Sequence, residues 1–160
     1  VVAVKSGLKD INSLGTIVHG KEKRLSYIGS INSRLDYRNG KIYWTEIVPG
    51  LRWTHENYSV LKCYDLKEGR IKSITPRQRY LSPSVDKNGK VAAVSRTTVD
   101  GKNQLVLVEL EDGKELFAFQ VPDNAFIKEL TFTDQDEVVA VAVTDAGISL
   151  LQCTPSYGQW

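Results

Sequence analysis

The chain has 160 residues, of which 41% are hydrophobic and 25% are charged. This is the composition of a folded globular protein that is long enough to bury a core, and it excludes an intrinsically disordered chain. The net charge of +2 is too small to indicate a nucleic-acid-binding protein, and no apolar run approaches the ~18 residues that a membrane span needs.

The charge is unevenly distributed along the sequence. Residues 34–79 contain ten Lys or Arg against five Asp or Glu, whereas residues 109–137 contain nine acidic residues against two basic ones. Two interpretations remain open. Either the loops carry ordinary solvating charge, or the folded surface is dipolar and orients a partner or a neighbouring domain.

A sequence pattern that consists of a turn followed by an apolar strand is repeated along the chain. The apolar strands start at residues 1, 42, 91 and 138, and the last three follow a turn sequence: Asn39-Gly40-Lys41, Asn88-Gly89-Lys90 and Asp134-Gln135-Asp136-Glu137. A second phrase, an acidic-Leu pair with a Gly turn, recurs at residues 65–69 and 109–113. Asn-Gly and Asp-Gly supply the positive φ angles that tight hairpins need.

A repeat of ~40–50 residues made only of strands is typical of the blades of a β-propeller. The third repeat predicts four strands, at 79–85, 91–97, 103–110 and 114–121. The first repeat lacks its first strand and the last repeat lacks its fourth, which gives about 14 strands in all. We therefore predict an all-β fold, a partial β-propeller of about four consecutive four-stranded antiparallel blades with the first and last incomplete.

The domain prediction is one propeller segment over residues 1–160, with blade repeats at about 1–30, 34–75, 79–121 and 126–153. The chain contains no Met and starts at Val1, so we expect a segment cut from a longer protein. Its two cysteines, Cys63 and Cys153, form neither a disulfide framework nor a zinc spacing. With a whole blade between them, both are expected to be free thiols that fill space in the core.

The repeat phrase resembles that of a known family. "RYLSPSVDKNGKVAAVS" (79–95) is similar to the "SPDGK-I-AFVS" phrase of TolB-like, WD40-like (PD40-type) propellers, also seen in tricorn-type and prolyl-oligopeptidase-type propellers. Residues 42–75 look like a blade of large exported Bacteroidetes proteins. The chain departs from the phrase where Val85 precedes Asp86 in place of Pro, and "FTDQDEVV" (132–139) lacks the Gly. The resemblance implies a binding or gating platform, often outside the cytoplasm and often beside a hydrolase domain that this chain does not contain.

Catalytic and metal-binding patterns are absent from the sequence. A hydrolase triad needs a base, and the only histidines are His19 and His55. There is no G-x-S-x-G elbow, no H-E-x-x-H motif and no EF-hand loop. We therefore predict no catalytic residue, no cofactor and no metal site, and a chain that is not itself an enzyme, although the parent protein could be a hydrolase.

The segment "IVPGLRWTHENYS" (47–59) is the candidate contact surface. It connects the second and third strands of the second repeat, and it is longer than its counterpart at 98–103. Loops at one end of a propeller commonly carry ligands and partners, and Trp, Tyr and Arg are the residues that dominate interfaces. The alternative is that these side chains cap their own blade, which is the commoner role of a tryptophan beside a strand, and on that ground Trp53→Ala is expected to lower stability. The candidate contact residues are Arg52, Trp53, His55, Glu56 and Tyr58.

Three functions remain open from the sequence. The first is a non-catalytic interaction or gating platform, in a larger exported bacterial protein, that binds a protein, a peptide or neighbouring domains of its parent. The second is the propeller part of a peptidase whose catalytic domain lies outside this chain, and the third is a carbohydrate-binding module. No nucleic-acid partner is expected, an extracytoplasmic location is implied by the resemblance, and self-association through the open faces of the end blades is expected because those faces are apolar.

Overall fold

Fourteen antiparallel strands build the protein. The structure is a computed structural model, and it describes residues 2–7, 10–31, 34–50, 57–156 and 160. Blade 1 contains β1 (Val2–Gly7), β2 (Asp10–Val18) and β3 (Lys21–Tyr27), and blade 2 contains β4 (Asp36–Arg38), β5 (Lys41–Pro49), β6 (Asn57–Asp65) and β7 (Arg70–Ser73). Blade 3 contains β8 (Tyr80–Val85), β9 (Val91–Thr97), β10 (Asn103–Glu109) and β11 (Glu115–Gln120), and blade 4 contains β12 (Phe126–Phe132), β13 (Val138–Thr144) and β14 (Gly147–Cys153).

Each blade is one sheet in which strands that follow one another in sequence are neighbours. The sheets have three, four, four and three strands, which confirms the predicted all-β fold and the partial propeller with incomplete first and last blades. In blade 3 the strand bounds differ from the sequence prediction by no more than one residue. The helical structure within the described ranges is a 3-10 turn at Pro122–Asn124, and no helix there is long and apolar enough to cross a membrane.

Three apolar clusters join the four blades in sequence. The first lies between blades 1 and 2 and contains Leu14, Ile28, Ile42, Trp44 and Tyr64. The second, between blades 2 and 3, includes Tyr43, Leu61, Cys63, Tyr80, Ala92 and Val94, and the third, between blades 3 and 4, includes Leu105, Leu107, Leu130, Val138, Ala140 and Cys153. Each inner blade is therefore apolar on both faces, as a strand sandwiched between neighbours must be.

One leucine position is repeated in register from blade to blade. Leu61 pairs with Thr45 in blade 2, and Leu105 pairs with Ser95 at the matching position of blade 3. Both leucines are 0% exposed, because the following blade covers them. Burial of a leucine side chain contributes about 1.5–3 kcal/mol, so this position is a main source of cohesion between blades.

A polar contact between the innermost strands accompanies the leucines. The Val85 N–H of blade 3 donates to Asp36 Oδ2 of blade 2 at 2.5 Å, and the Phe132 N–H of blade 4 donates to Ser84 Oγ of blade 3 at 3.1 Å. Asp36 and Ser84 occupy the same register position in their blades, since Asp36 pairs with Tyr43 and Ser84 pairs with Ala93. Each innermost strand thus satisfies a backbone donor of the next blade, which fixes the height of one blade against its neighbour.

The turns that open each repeat form a row at one end of the arc, which we call the turn end. The Asn39 side chain approaches Gly89 so closely that an added Cβ there would lie 2.9 Å from Asn39 Nδ2. Lys87 then reaches the next turn, where its Nζ lies 2.8 Å from Asp136 Oδ2. Asp136 has a φ of 60° and so takes the left-handed conformation that Gly89 supplies in blade 3, which explains how the last repeat manages without glycine.

The two cysteines behave as predicted. Both are buried and free, and they belong to different clusters, Cys63 between blades 2 and 3 and Cys153 between blades 3 and 4. Burial raises the pKa of both thiols, that of Cys153 to about 11. They therefore remain protonated near neutral pH, where a thiol is a poor nucleophile.

We predict that the polar contact between innermost strands carries measurable stability. Ser84→Ala removes the acceptor of the Phe132 N–H in a buried setting and should lower the free energy of unfolding by about 1–3 kcal/mol. Thr131 is the matched control, because it occupies the same register position in blade 4, opposite Val139, and is exposed. Thr131→Val should be nearly neutral. Urea denaturation of both variants measures the difference, and equal losses would contradict the assignment.

We also predict that one glycine turn cannot accept a side chain. Gly113 has a φ of +77°, and a Cβ added to it would lie 2.0 Å from the Ile74 carbonyl oxygen of blade 2. Gly101 has a φ of +78° but nothing within 4 Å of such a Cβ, so Gly101→Ala reports the backbone strain alone, about 1–2 kcal/mol. Gly113→Ala should cost clearly more in thermal unfolding, and similar costs for the two variants would exclude the close approach.

Candidate interaction surface

The 47–59 segment lies at the end of blade 2 opposite the turn end, which we call the loop end. Strand β5 ends at Pro49 and β6 begins at Asn57. Four of the predicted contact residues, Arg52, Trp53, His55 and Glu56, lie outside the described residues, and the fifth, Tyr58, is on β6.

The hairpin that carries this segment is longer than its counterpart in blade 3. Strands β9 and β10 pair as far as Thr97 and Asn103, whereas β5 and β6 continue beyond the matching pair, Ile47 and Ser59. They add the pairs Val48–Tyr58 and Pro49–Asn57. The hairpin of blade 2 therefore extends two residue pairs further, and Tyr58 belongs to this extension.

Tyr58 contacts the connection between blades 2 and 3. The guanidinium carbon of Arg79 lies 5.9 Å from the centre of the Tyr58 ring, within the range of a cation–π contact. The connection is held against β6 by two backbone hydrogen bonds, from Ser59 N–H to Gln78 O at 2.6 Å and from Gln78 N–H to Ser59 O at 2.8 Å. With the exposed Arg77 beside it, this part of the loop end is aromatic and basic.

A buried carboxylate anchors the base of the same hairpin. Glu46 Oε2 accepts hydrogen bonds from the Gly29 N–H at 3.0 Å and from Trp44 Nε1 at 3.3 Å. Its other oxygen, Oε1, accepts from Lys62 Nζ at 2.5 Å. The next residue continues the attachment, since Ile47 N–H donates to Ser30 O at 2.7 Å. The hairpin is thus fixed to the connection between blades 1 and 2 just before the contact segment begins.

The ionisation of Glu46 follows from these contacts. Burial by itself raises the pKa of the carboxyl group, but the hydrogen bonds from Lys62, Gly29 and Trp44 together lower it below the ordinary value. Glu46 is therefore an ionised, fully partnered group near neutral pH, with both oxygens engaged. Such a group serves structure and orientation, and it is not available as a catalytic base.

Blade 3 contains a second polar network, partly buried, which the sequence analysis did not predict. Tyr80 Oη donates to Glu115 Oε1 at 2.5 Å, and Arg96 Nη1 donates to the same oxygen at 2.6 Å. Arg96 also donates to Gln104 Oε1 through Nε and Nη2. Burial, followed by the hydrogen bond and charge of Glu115, raises the pKa of Tyr80. The sequence signal that could have revealed it is register, because Tyr80, Arg96 and Gln104 are cross-strand partners.

Metal-binding clusters are not found in the described part of the chain, where no three His, Cys, Asp or Glu side chains are grouped for an ion. Of the two histidines, His19 lies exposed in the turn between β2 and β3 with a φ of 49°. His55 lies outside the described residues.

Known structures share this architecture at low sequence identity. TolB from Acinetobacter baumannii superimposes with a TM-score of 0.65 and 13% identity, over 88% of this chain and 34% of that one. The β-propeller domain of the Trilobed protease from Pyrococcus furiosus, described as having an open velcro topology, gives 0.59 and 11%, over 79% of this chain and 40% of that one. The gluconolactonase XC5397 from Xanthomonas campestris superimposes with a TM-score of 0.59 and 14% identity, over 89% of this chain and 56% of that one.

These similarities establish the fold and nothing finer. The chain has the architecture of a TolB-like β-propeller, which confirms the resemblance seen in the repeat phrase. It spans less than two thirds of the length of each of the three proteins. No protein-family model matches the sequence, and no curated protein matches it.

We predict that Glu46 stabilises the fold in a pH-dependent way. Glu46→Gln keeps the shape but removes the charge, and it should cost about 1–3 kcal/mol of unfolding free energy at pH 7. Because the folded pKa is lowered, this contribution is fully present above the unfolded value of ~4.3 and is lost as the pH falls through the folded pKa. Chemical denaturation at several pH values should therefore show the two proteins converging in acid.

The control for this experiment is Glu68→Gln. Glu68 forms an ion pair with Arg70 at 2.5 Å, but both side chains are at least half exposed, where such pairs contribute little. Glu68→Gln should leave stability unchanged at every pH. A difference between wild type and Glu46→Gln that does not vary with pH would contradict the proposed role of the Glu46 charge.

Proposed function

We propose that this chain is a non-catalytic segment of a TolB-like propeller that binds a protein or a peptide at its loop end. The contact residues are those of the 47–59 segment, Arg52, Trp53, His55, Glu56 and Tyr58. The observation that supports this proposal is the extension of the β5–β6 hairpin beyond the hairpin of blade 3, with Tyr58 on the extension and Arg79 against its ring.

The physical basis is the chemistry of the segment and the rigidity of its support. Trp, Tyr and Arg provide large contact area at a low cost in side-chain entropy and dominate binding energies at interfaces. A rigid base reduces the ordering cost of binding, and here Glu46 and the backbone bond from Ile47 hold the hairpin in place. The surrounding excess of basic residues favours a partner that presents carboxylates.

The proposed setting is a larger exported bacterial protein, outside the cytoplasm. The support for this setting is the resemblance of residues 42–75 to blades of large exported Bacteroidetes proteins and the superposition on TolB. Neighbouring domains of the parent chain are then candidate partners as well.

A second candidate is the propeller part of a peptidase. The observation that favours it is the superposition on the propeller domain of the Trilobed protease. In this case the propeller gates access to a catalytic domain that this chain does not contain. The reading frame that encodes the chain decides between the two: a G-x-S-x-G motif downstream or an H-E-x-x-H motif upstream favours the peptidase, and the absence of both favours the interaction platform.

We predict that Trp53 is a binding residue. Trp53→Ala should leave the melting temperature nearly unchanged and should cost about 2 kcal/mol or more of binding energy. The probe is a set of random linear peptides displayed on phage and selected on the wild-type chain. Peptides recovered in this way should lose binding to Trp53→Ala and to Tyr58→Ala.

The control is Tyr37→Ala, since Tyr37 is an exposed tyrosine on β4 near the turn end. This variant should bind the selected peptides as the wild type does. If Trp53 instead fills its own blade, Trp53→Ala should destabilise the protein by about 3–5 kcal/mol, and the proposed surface is then wrong. Failure to select any peptide that depends on Trp53 also counts against it.

A further inference from the structure

The two ends of the arc differ from its interior in what covers them. The open face of blade 4, which we define by Thr131, Val141, Ile148 and Leu150, points away from blade 3, because the alternate residues of its strands belong to the cluster shared with blade 3. Ile148 is 72% exposed and Leu150 is 74% exposed. Exposed branched residues grouped on one sheet face are unusual for a surface that water covers.

Leu150 continues the leucine series of the inner blades. It pairs with Val141. This pair occupies the same register position as Thr45–Leu61 in blade 2 and Ser95–Leu105 in blade 3. Leu61 and Leu105 are covered by the following blade, whereas nothing in the described part of the chain covers Leu150. The open face of blade 4 is therefore built like a blade-to-blade interface that still lacks its second side.

At two of the three interfaces the second side includes alanines, whereas between blades 1 and 2 the corresponding positions carry Ile42 and Trp44. Leu105 shares a cluster with Ala140 and Ala142 of β13 in the following blade. Leu61 shares one with Ala92 of β9 in the following blade. Large side chains on one blade thus meet small ones on the next, which allows close packing of two sheet faces.

The outer face of blade 1 offers the same arrangement of small residues. We define it by Ala3, Gly15, Ile11, Ile17 and Tyr27. Ala3 and Gly15 are cross-strand neighbours and form the floor of a shallow hollow whose rim includes Ile17, Lys5 and Glu22. Ile11, Ile17 and Tyr27 are exposed around it. Lys5 and Glu22 lie 3.9 Å apart, so the charged groups at the rim balance each other.

The two end blades also carry opposite charge. Blade 1 contains five basic residues against two acidic ones, and blade 4 contains five acidic residues against one basic one. In blade 1 the sequence Lys21-Glu22-Lys23-Arg24 is exposed along β3, and in blade 4 Glu129 and Asp145 are exposed. This complementarity favours contact of blade 4 with blade 1 over contact of blade 4 with another blade 4.

We propose that the open face of blade 4 in one copy packs on the outer face of blade 1 in a second copy. Leu150 and Ile148 then occupy the hollow above Ala3 and Gly15, as Leu105 does against Ala140 and Ala142. Formed twice between two copies, this head-to-tail contact joins them as a closed pair. The site is separate from the 47–59 surface and does not rest on the function proposed for it.

The experiment is sedimentation of the full chain over a range of concentrations. The wild type should form a species of twice the 17.9 kDa mass of one chain. Leu150→Lys and Ala3→Arg each alter one of the two faces, and each alone should raise the dissociation constant by about tenfold or more. An equimolar mixture of the two variants keeps one intact junction per pair and should recover part of the two-copy species. A β-sheet circular dichroism spectrum and a cooperative unfolding transition show that each variant is folded, although loss of association should itself lower the melting temperature.

The matched control is Val99→Lys, since Val99 is 89% exposed in the β9–β10 turn, away from both faces, and this variant should associate as the wild type does. Three outcomes overturn the proposal. If the wild type is a monomer throughout, the two faces do not recognise each other. If Leu150→Lys dissociates the complex but Ala3→Arg does not, blade 4 pairs with itself. If Val99→Lys dissociates it too, the association is non-specific.

Discussion

The covering of one blade's leucine by the next blade is the interaction on which this architecture depends. A single blade is one sheet and cannot bury either of its faces by itself, so its apolar residues are shielded from water only when a neighbour lies against them. Leu61 and Leu105 meet this requirement at the same register position, and the bonds from Val85 to Asp36 and from Phe132 to Ser84 set how the neighbour is placed. Apolar packing supplies most of the cohesion, and the polar contacts supply the alignment.

The fold was largely predictable from sequence because its signals are local. A turn and the strand that follows it lie within about ten residues, so the repeated phrases located the strands of blade 3 to within one residue. The alignment of repeats by their first apolar residue was wrong by one position in blade 3. The structure matches Ile42 and Val138 with Ala92, since these residues face the preceding blade. Asp86 and Val91 close a turn of four residues, whereas Arg38 and Lys41 close a turn of two. One of the two extra residues follows Gly89, and it reverses which side chains of the next strand face inward.

The candidate surface was only partly predictable, for the opposite reason. Its composition, rich in Trp, Tyr and Arg, stands out in the sequence at 47–59, and so does the length of the segment. Its support does not, because Glu46 is held by Gly29 and Lys62, which are 17 and 16 residues away along the chain. Likewise, the bond from Tyr80 to Glu115 joins residues 35 positions apart. Such partners become visible only when strand register is known, and a single sequence does not fix register across blades.

The stacking of blades in a row also determines how disorder can spread through the molecule. Each apolar cluster joins only two successive blades, so the cooperative unit is the pair of neighbours and the stability of the whole approximates a nearest-neighbour sum. Blades 2 and 3 each contribute to two clusters, whereas blade 1 and blade 4 each contribute to one. In a single copy whose end blades are uncovered, amide protons should accordingly exchange with solvent from the ends inward. The middle of the arc, where the β5–β6 hairpin is rooted, is then the last part to open.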